Sequence, residues 1–220
     1  MTNKSSNQEI VGLFPTPVYI AERGSDLTAE EKLDIKKIQD GDTRMRNGGM
    51  NTSMGNTYSA NNYIFDKYLK EIKQFCDYHI EKYVKEIINP KEKLDFYITQ
   101  SWLNVTEANG FHHKHSHQNS IISGVFYIST VEEDKITFED PNCQVKSASP
   151  WLKEESFNVW NSTSWFIPIE NNTLILFPSY LNHQVERNQK ATSNRVSVSF
   201  NCYVKGRLGA ANELTELFLK

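Results

Sequence analysis

Residues 111–128 read FHHKHSHQNSIISGVFYI. Four of the chain's six histidines, His112, His113, His115 and His117, fall within six positions, and an apolar run follows them. That run, Ile121 to Ile128, is β-branched and aromatic, the composition of a strand entering a core. On a strand, side chains two positions apart share a face. The stretch therefore offers two pairs able to grip one ion, His113 with His115 and His115 with His117, and His115 belongs to both. Neutral imidazole is the commonest metal ligand among side chains that titrate near neutral pH. A third ligand has to come from a strand close in space and distant in sequence. His183, in LILFPSYLNHQVERN (174–188), meets that requirement, standing just after an apolar strand and a Pro-Ser turn. Three protein ligands with open positions describe a catalytic site, not a closed structural one. The competing reading of the histidine run is a solvated polar loop ahead of the strand.

Outward from this run, the chain after residue 90 reads as strands at 95–107, 120–130, 135–140, 156–169, 173–179, 183–188 and 195–204. Turn residues such as Ala108-Asn109-Gly110 and Glu170-Asn171-Asn172 separate them. Before residue 90 the character is different. Pro15 and Pro17 make 10–22 an edge strand or extended segment. Thr28 with Glu31 is a capping-box signature that opens a helix over 26–40. The Gly/Asn/Ser-rich stretch 41–62 reads as a long loop and a candidate lid. Ile64, Tyr68, Ile72, Phe75, His79, Tyr83 and Ile87 recur at helical spacing, predicting a helix over 63–88 that stops at Asn89-Pro90. His79 on that stripe is read as a packing histidine. A short helix, ANELTELFLK, closes the chain. Helices followed by many short strands predict one domain over 1–220, mainly β with flanking helices (α+β), a β-sandwich or jelly roll with helices on one face.

The net charge of −3 and pI near 6.1 give no support to a general nucleic-acid binder. Cys76, Cys143 and Cys202 lie far apart with no CxxC pair, which argues against a disulfide scaffold or thiolate zinc site and fits a reducing compartment. The N-terminus lacks a signal-peptide core, and no apolar run approaches the roughly 20 residues that span a bilayer. A soluble, cytoplasmic protein is expected.

Arg195 follows His183 by twelve residues, in NRVSVSF. On that strand Arg195, Ser197 and Ser199 share one face and Val196, Val198 and Phe200 the other. An arginine inside a barrel needs an anion, and its planar fork matches a carboxylate through two hydrogen bonds, with the Ser197 hydroxyl placed to add a third. A structural salt bridge at the strand start is the alternative.

The order HxH, SGVFYI, FPS…H, RxSxSFN resembles an uncharacterised group of 2-oxoglutarate/Fe(II)-dependent oxygenases with a double-stranded β-helix (jelly-roll) core. The likeness extends over most of the chain, with F-P-T-P-V (14–18) as an early marker and Trp102 and Asn104 of W-x-N as a middle one. The resemblance implies an N-terminal strand and helices over 1–92 packed on a jelly roll over 93–206. It implies Fe(II) held by His115, His117 and His183, with O2 and 2-oxoglutarate as co-substrates. Arg195 and Ser197 would take the distal carboxylate, and Asn104, on a preceding strand, and Tyr127 would approach the co-substrate. The chemistry would be oxidation, chiefly hydroxylation, of an unidentified prime substrate, with decarboxylation of 2-oxoglutarate to succinate. The chain departs from the broad superfamily by placing His117 where a carboxylate is usual. Such a site suits zinc or nickel as well as iron. Alternatively His117 stays off the metal, and water, a halide, Glu139 or Asp140 takes its place. Trp151, Trp160 and Trp165 surround a segment that could line the substrate entrance, with core packing expected of at least two. A homodimer is an open expectation; neither membrane nor nucleic acid is indicated as a partner. The rival readings are a cupin metalloenzyme that does not use 2-oxoglutarate and a non-catalytic jelly-roll module.

Overall fold

Strands of alternating pattern need two environments, and this chain supplies them by curling one antiparallel sheet so that one face meets the helices and the other encloses an interior of mixed polar and apolar side chains. The computed structural model describes residues 10–40, 46–47, 54–142 and 155–220. The strands are β1 (Tyr19–Glu22), β2 (Arg46–Asn47), β3 (Met54–Tyr58), β4 (Asp95–His115), β5 (Ile122–Ser129), β6 (Lys135–Glu139), β7 (Ser164–Pro168), β8 (Thr173–Pro178), β9 (His183–Val185), β10 (Arg195–Leu208) and β11 (Leu217–Leu219). Two α-helices precede β4: α1 (Ala29–Asp40) and α2 (Lys70–Tyr83).

The sheet order is β1-β8-β5-β10-β4-β9-β6-β7, with β3 beside β4 and β11 beside β10. The first part of β4 pairs with β10, whereas its last residues pair with β9. An extended chain from residue 102 to 117 would span about 50 Å, yet the Trp102 and His117 rings lie 5.9 Å apart. The strand therefore doubles back. Its corner is at Ala108-Asn109-Gly110, where Asn109 has φ 61° and a Cβ on Gly110 would stand 2.8 Å from the Glu107 carbonyl oxygen. The corner turns the curled sheet into a double-stranded β-helix: β4 (first half), β10, β5 and β8 face β4 (second half), β9, β6 and β7.

Period-two alternation sorts the core. Phe126, Leu174, Leu176, Val196, Val198, Phe200 and Cys202 face the helices, joining Ile72, Cys76, Ile80 and Tyr83 of α2. Val125, Tyr127, Ile175 and Phe177 face inward, against Ile136 and Phe138 of β6. Each large apolar side chain so buried contributes about 1.5–3 kcal/mol. The capping box forms as expected: Glu31 N donates to Thr28 Oγ1 and Thr28 N to Glu31 Oε2. Asp34 then accepts at 3.0 Å from the backbone N–H of Leu69, which starts α2 with φ 57° and ties the two helices together. One wider turn over Val84–Ile88 ends the helix at Asn89, φ 45°, ahead of Pro90.

Several expectations need correction. Residues 54–58 form β3 on the flank of β4 instead of a loop, because pairing with Val105 and Asn104 outweighs the poor strand propensity of Gly and Asn. Residues 46–47 of the same segment form β2 against β3, and 41–45 and 48–53 lie outside the described residues, as do Cys143 and Trp151. The C-terminal stretch is a tight turn at Ala211–Glu213 and then β11, not a helix, since Leu217–Leu219 find open backbone groups on β10. The strand read over 156–169 shortens to Ser164–Pro168. Trp160 and Trp165 are 54 % and 41 % exposed, so neither is a core residue. Among the described residues no helix is long and apolar enough to cross a membrane.

Candidate functional site

The corner in β4 brings the histidine run inside the barrel. β4 pairs with β9 so that His115 stands opposite His183. His117 follows two residues past the strand end, its backbone N–H donating to Ser179 O at 2.9 Å. Ring centroids are 4.3 Å apart for His115 and His183, 5.1 Å for His115 and His117, and 5.2 Å for His117 and His183. One nitrogen from each of the three lies within 4.8 Å of the other two.

Hydrogen bonds on the far side of each ring assign the tautomers. His115 Nδ1 contacts His113 O at 2.8 Å, His183 Nδ1 contacts Leu181 O at 3.0 Å, and His117 Nδ1 contacts Asn201 Oδ1. Each of those oxygens can only accept, so each Nδ1 carries the proton and leaves the Nε2 lone pair free. This arrangement around a ligating histidine sets ring orientation and basicity. Burial pushes His115 down to about 4 and His183 well below its usual value, and lowers His117, whose bond to Asn201 opposes the shift. All three are neutral at pH 7, the form that ligates a metal.

Across the cavity stands Arg195, buried at the start of β10. Its Nε is 3.2 Å from Asp134 Oδ2, close enough for an ion pair although not aligned as a hydrogen bond. Its guanidinium carbon lies 4.9 Å from the centre of the Tyr127 ring. Tyr127 Oη and Asn104 Oδ1 are buried without hydrogen-bond partners, while Asn104 Nδ2 donates to Ser199 Oγ at 2.8 Å. These groups, with Ser197, line one cavity of about 40 Å³, room for a few waters. A five-carbon dicarboxylate is larger, so it enters only as lining side chains move.

The structure therefore gathers His115, His117, His183, Asn104, Tyr127, Arg195 and Ser197 around one space. Asn104 sits on β4 itself, not on a preceding strand, and reaches the histidines because the strand doubles back. His113 does not line the cavity but groups with His112 and His115. Glu139 is engaged elsewhere: Lys114 donates to it at 2.7 Å and holds its carboxyl below the usual range, and Asn182 donates at 3.1 Å. Among the described residues no carboxylate joins either histidine group.

Three contributors went unread in the sequence. His112 lines the cavity with its ring 4.4 Å from that of His115. Asn201 lies six residues after Arg195, an even offset that already placed it on the polar face of β10. Asp134 carried no such signal, because its place opposite Arg195 is set by the turn before β6.

Comparison with known proteins agrees with this geometry. Residues 100–201 match the family described as "Putative 2OG-Fe(II) oxygenase". The match spans the strands that carry the site, a little under half of the chain. With it come an oxidoreductase activity, Fe(II), 2-oxoglutarate, and O2 as co-substrate. Among solved structures, the chain is similar to a prolyl hydroxylase from Trichoplax adhaerens in complex with a hypoxia inducible factor peptide (TM-score 0.57, 13 % identity, 84 % of this chain and 83 % of that one). It is also similar to HygX from Streptomyces hygroscopicus with nickel and 2-oxoglutarate bound (TM-score 0.53, 10 % identity, 85 % and 82 %). A third is a 2OG-Fe(II) oxygenase family oxidoreductase from Burkholderia pseudomallei (TM-score 0.55, 9 % identity, 84 % of each chain). At such identities these likenesses bear on the fold. No curated protein matches the chain.

Proposed function

We propose that this oxygenase holds a mononuclear Fe(II) through Nε2 of His115, His117 and His183, and anchors the distal carboxylate of 2-oxoglutarate on Arg195. The observation that carries the assignment is the convergence of three imidazoles whose Nδ1 atoms are all committed to oxygen acceptors, with a buried arginine across the same cavity. The donor set fits the metal: three neutral nitrogens leave positions open for a chelating co-substrate and O2. When bound, the iron couples oxidative decarboxylation of 2-oxoglutarate to succinate and CO2 with oxidation, chiefly hydroxylation, of a prime substrate.

The chain's own residues bind, orient and exclude water. Asp134 occupies the Nε edge of Arg195, leaving the terminal nitrogens to fork onto a carboxylate. Tyr127 Oη is a buried hydroxyl without a partner that a co-substrate oxygen would satisfy, and Ser197 offers a second hydroxyl in the same cavity. With no carboxylate in the cluster among the described residues, a metal held there would keep its full charge until the dianion arrived, adding its attraction to that of Arg195.

The same reading takes 1–220 as one catalytic domain, with 1–92 as its N-terminal strand and helices and 93–206 as the jelly roll, working in the cytoplasm. The unpaired, buried thiols of Cys76 and Cys202 support a reducing location. Homodimerisation is a separate question that sedimentation of the intact chain answers.

Anaerobic titration with Fe(II) and then 2-oxoglutarate tests the site through the visible charge-transfer band of the chelate. His183→Ala is expected to abolish stoichiometric iron and the band. Retention of iron by that variant refutes the triad.

A further inference from the structure

The three metal-facing histidines are not oriented alike. His115 and His183 are held by backbone carbonyls, which no side-chain substitution removes. His117 depends on a side chain, the amide of Asn201. Asn201 Oδ1 takes two donors, His117 Nδ1 and Ser123 Oγ, the latter at 3.1 Å. Ser123 Oγ is 2.9 Å from Ser179 Oγ, which donates to Ser120 Oγ at 2.7 Å. Ser120 Oγ in turn reaches the carbonyl oxygens of Ile122 at 3.1 Å and Cys202 at 3.2 Å. Ser123 and Ser179 are each 1 % exposed, so these hydroxyls exchange little with solvent. Ser179 closes the arrangement by accepting the backbone N–H of His117 at its own carbonyl.

Two donors on one amide oxygen fix which end of Asn201 faces the imidazole, because the NH2 end would meet two hydrogens instead. The Trp102 ring, 5.9 Å away and 29° from coplanar, limits rotation of the His117 ring from its face. We propose that Asn201 is the positioning residue that lets an imidazole serve in place of the usual carboxylate. Its oxygen selects the Nδ1–H tautomer of His117, and the buried Ser123 hydroxyl, donating to the same oxygen, holds it still. The assignment rests on the function proposed above. A neutral amide in that position also keeps His117 a neutral ligand, whereas a carboxylate would draw on the Nδ1 proton and give the ring more anionic character.

The test uses the intact metal-free chain titrated with Co(II), whose visible absorption reports ligand number and field. Asn201→Leu keeps the branched shape and removes the acceptor. It is expected to weaken Co(II) binding by about ten- to a hundredfold and to change the spectrum. Asn201→Asp restores an oxygen acceptor and is expected to recover parental affinity with a shifted spectrum. Asn201→Leu binding Co(II) within about twofold of the parent, with an unchanged spectrum, overturns the assignment, as does failure of Asn201→Asp to improve on it. Should Asn201→Leu not fold, Ser123→Ala removes only the second donor; a weakened, spectrally altered site is expected and an unaltered one overturns the proposal. His183→Ala separates the two levels: loss of Co(II) there with an indifferent Asn201→Leu refutes only the role of Asn201, whereas retention in both refutes the triad itself.

Discussion

Replacing Arg195 by alanine acts on two partners at once, and the structure separates the effects. The Arg195 and Asp134 side chains are 6 % and 4 % exposed, so deleting the guanidinium leaves a carboxylate buried without its counter-charge. Breaking one side of a buried pair destabilises by about 3–5 kcal/mol, a large fraction of the roughly 5–15 kcal/mol that holds a domain folded. Burial already raises the Asp134 carboxyl above its usual value, with Arg195 opposing that rise. Without the arginine it rises further and protonates, so the penalty shrinks as pH is lowered. Co-substrate affinity should fall independently, by about 2–5 kcal/mol, which is at least thirtyfold or so. Adding Asp134→Ala removes the stranded charge. The double variant should therefore regain most of the stability, read by urea unfolding of the metal-free protein, and none of the 2-oxoglutarate affinity, read by anaerobic titration of the iron form. If the double variant binds 2-oxoglutarate as the parent does, Arg195 serves the fold alone and the anchoring argument is wrong.

The buried imidazoles give the metal-free protein a distinctive pH profile. Unfolded His115 takes up a proton near pH 6.5 and the folded residue only near about 4, so between those values the unfolded state binds more protons and stability falls as pH falls. His115 alone accounts for about 2 kcal/mol between pH 7.5 and 5. Urea midpoints that stay level or rise over that interval contradict the neutral cluster. Elsewhere, Gly124 of β5 has no room for a side chain: a Cβ would stand 2.2 Å from Cζ of Phe200 and 2.8 Å from Cδ2 of Leu176. Gly124→Ala should destabilise by about 3 kcal/mol and be partly rescued by Phe200→Leu, whereas an unshifted urea midpoint refutes the packing account.

Much of this architecture is written locally. Thr28 and Glu31 announce a helix start because capping is a contact between neighbours in sequence, and the Val196, Val198 and Phe200 alternation announces which face of β10 is polar. The converging histidines were legible for a related reason: HxH is a one-strand pattern, and His183 was the one distant partner on a matching strand. What went unread depends on tertiary pairing. LTELFLK has helical spacing, yet β10 offers Leu217–Leu219 unpaired backbone groups and the strand wins. MGNTY is poor in strand formers and pairs because β4 needs a flank. Trp160 and Trp165 look like core residues by composition, but Trp160 sits in the turn before β7 and Trp165 on β7 at the end of the sheet, and both are exposed. Asp134 and Asn201 act through residues 61 and 84 positions away, distances over which a single sequence carries no register.

The sheet that carries the site also divides the molecule by redox sensitivity. Asn201 and Cys202 are consecutive on β10, yet their side chains leave on opposite faces, one to the histidine-lined interior and one to the helix-covered side. Cys202 and Cys76 are both fully buried there, and burial raises both thiols well above their usual values. A protonated thiol is a poor target for oxidation, since the thiolate is the reactive form. Uncoupled turnover, which releases oxidants when no substrate is in place, would thus strike the histidines and Trp102 before either of these sulfurs. Self-inactivation in this protein is expected to appear as damage to the ring side chains of the barrel interior, with Cys76 and Cys202 still titrating as free thiols after unfolding.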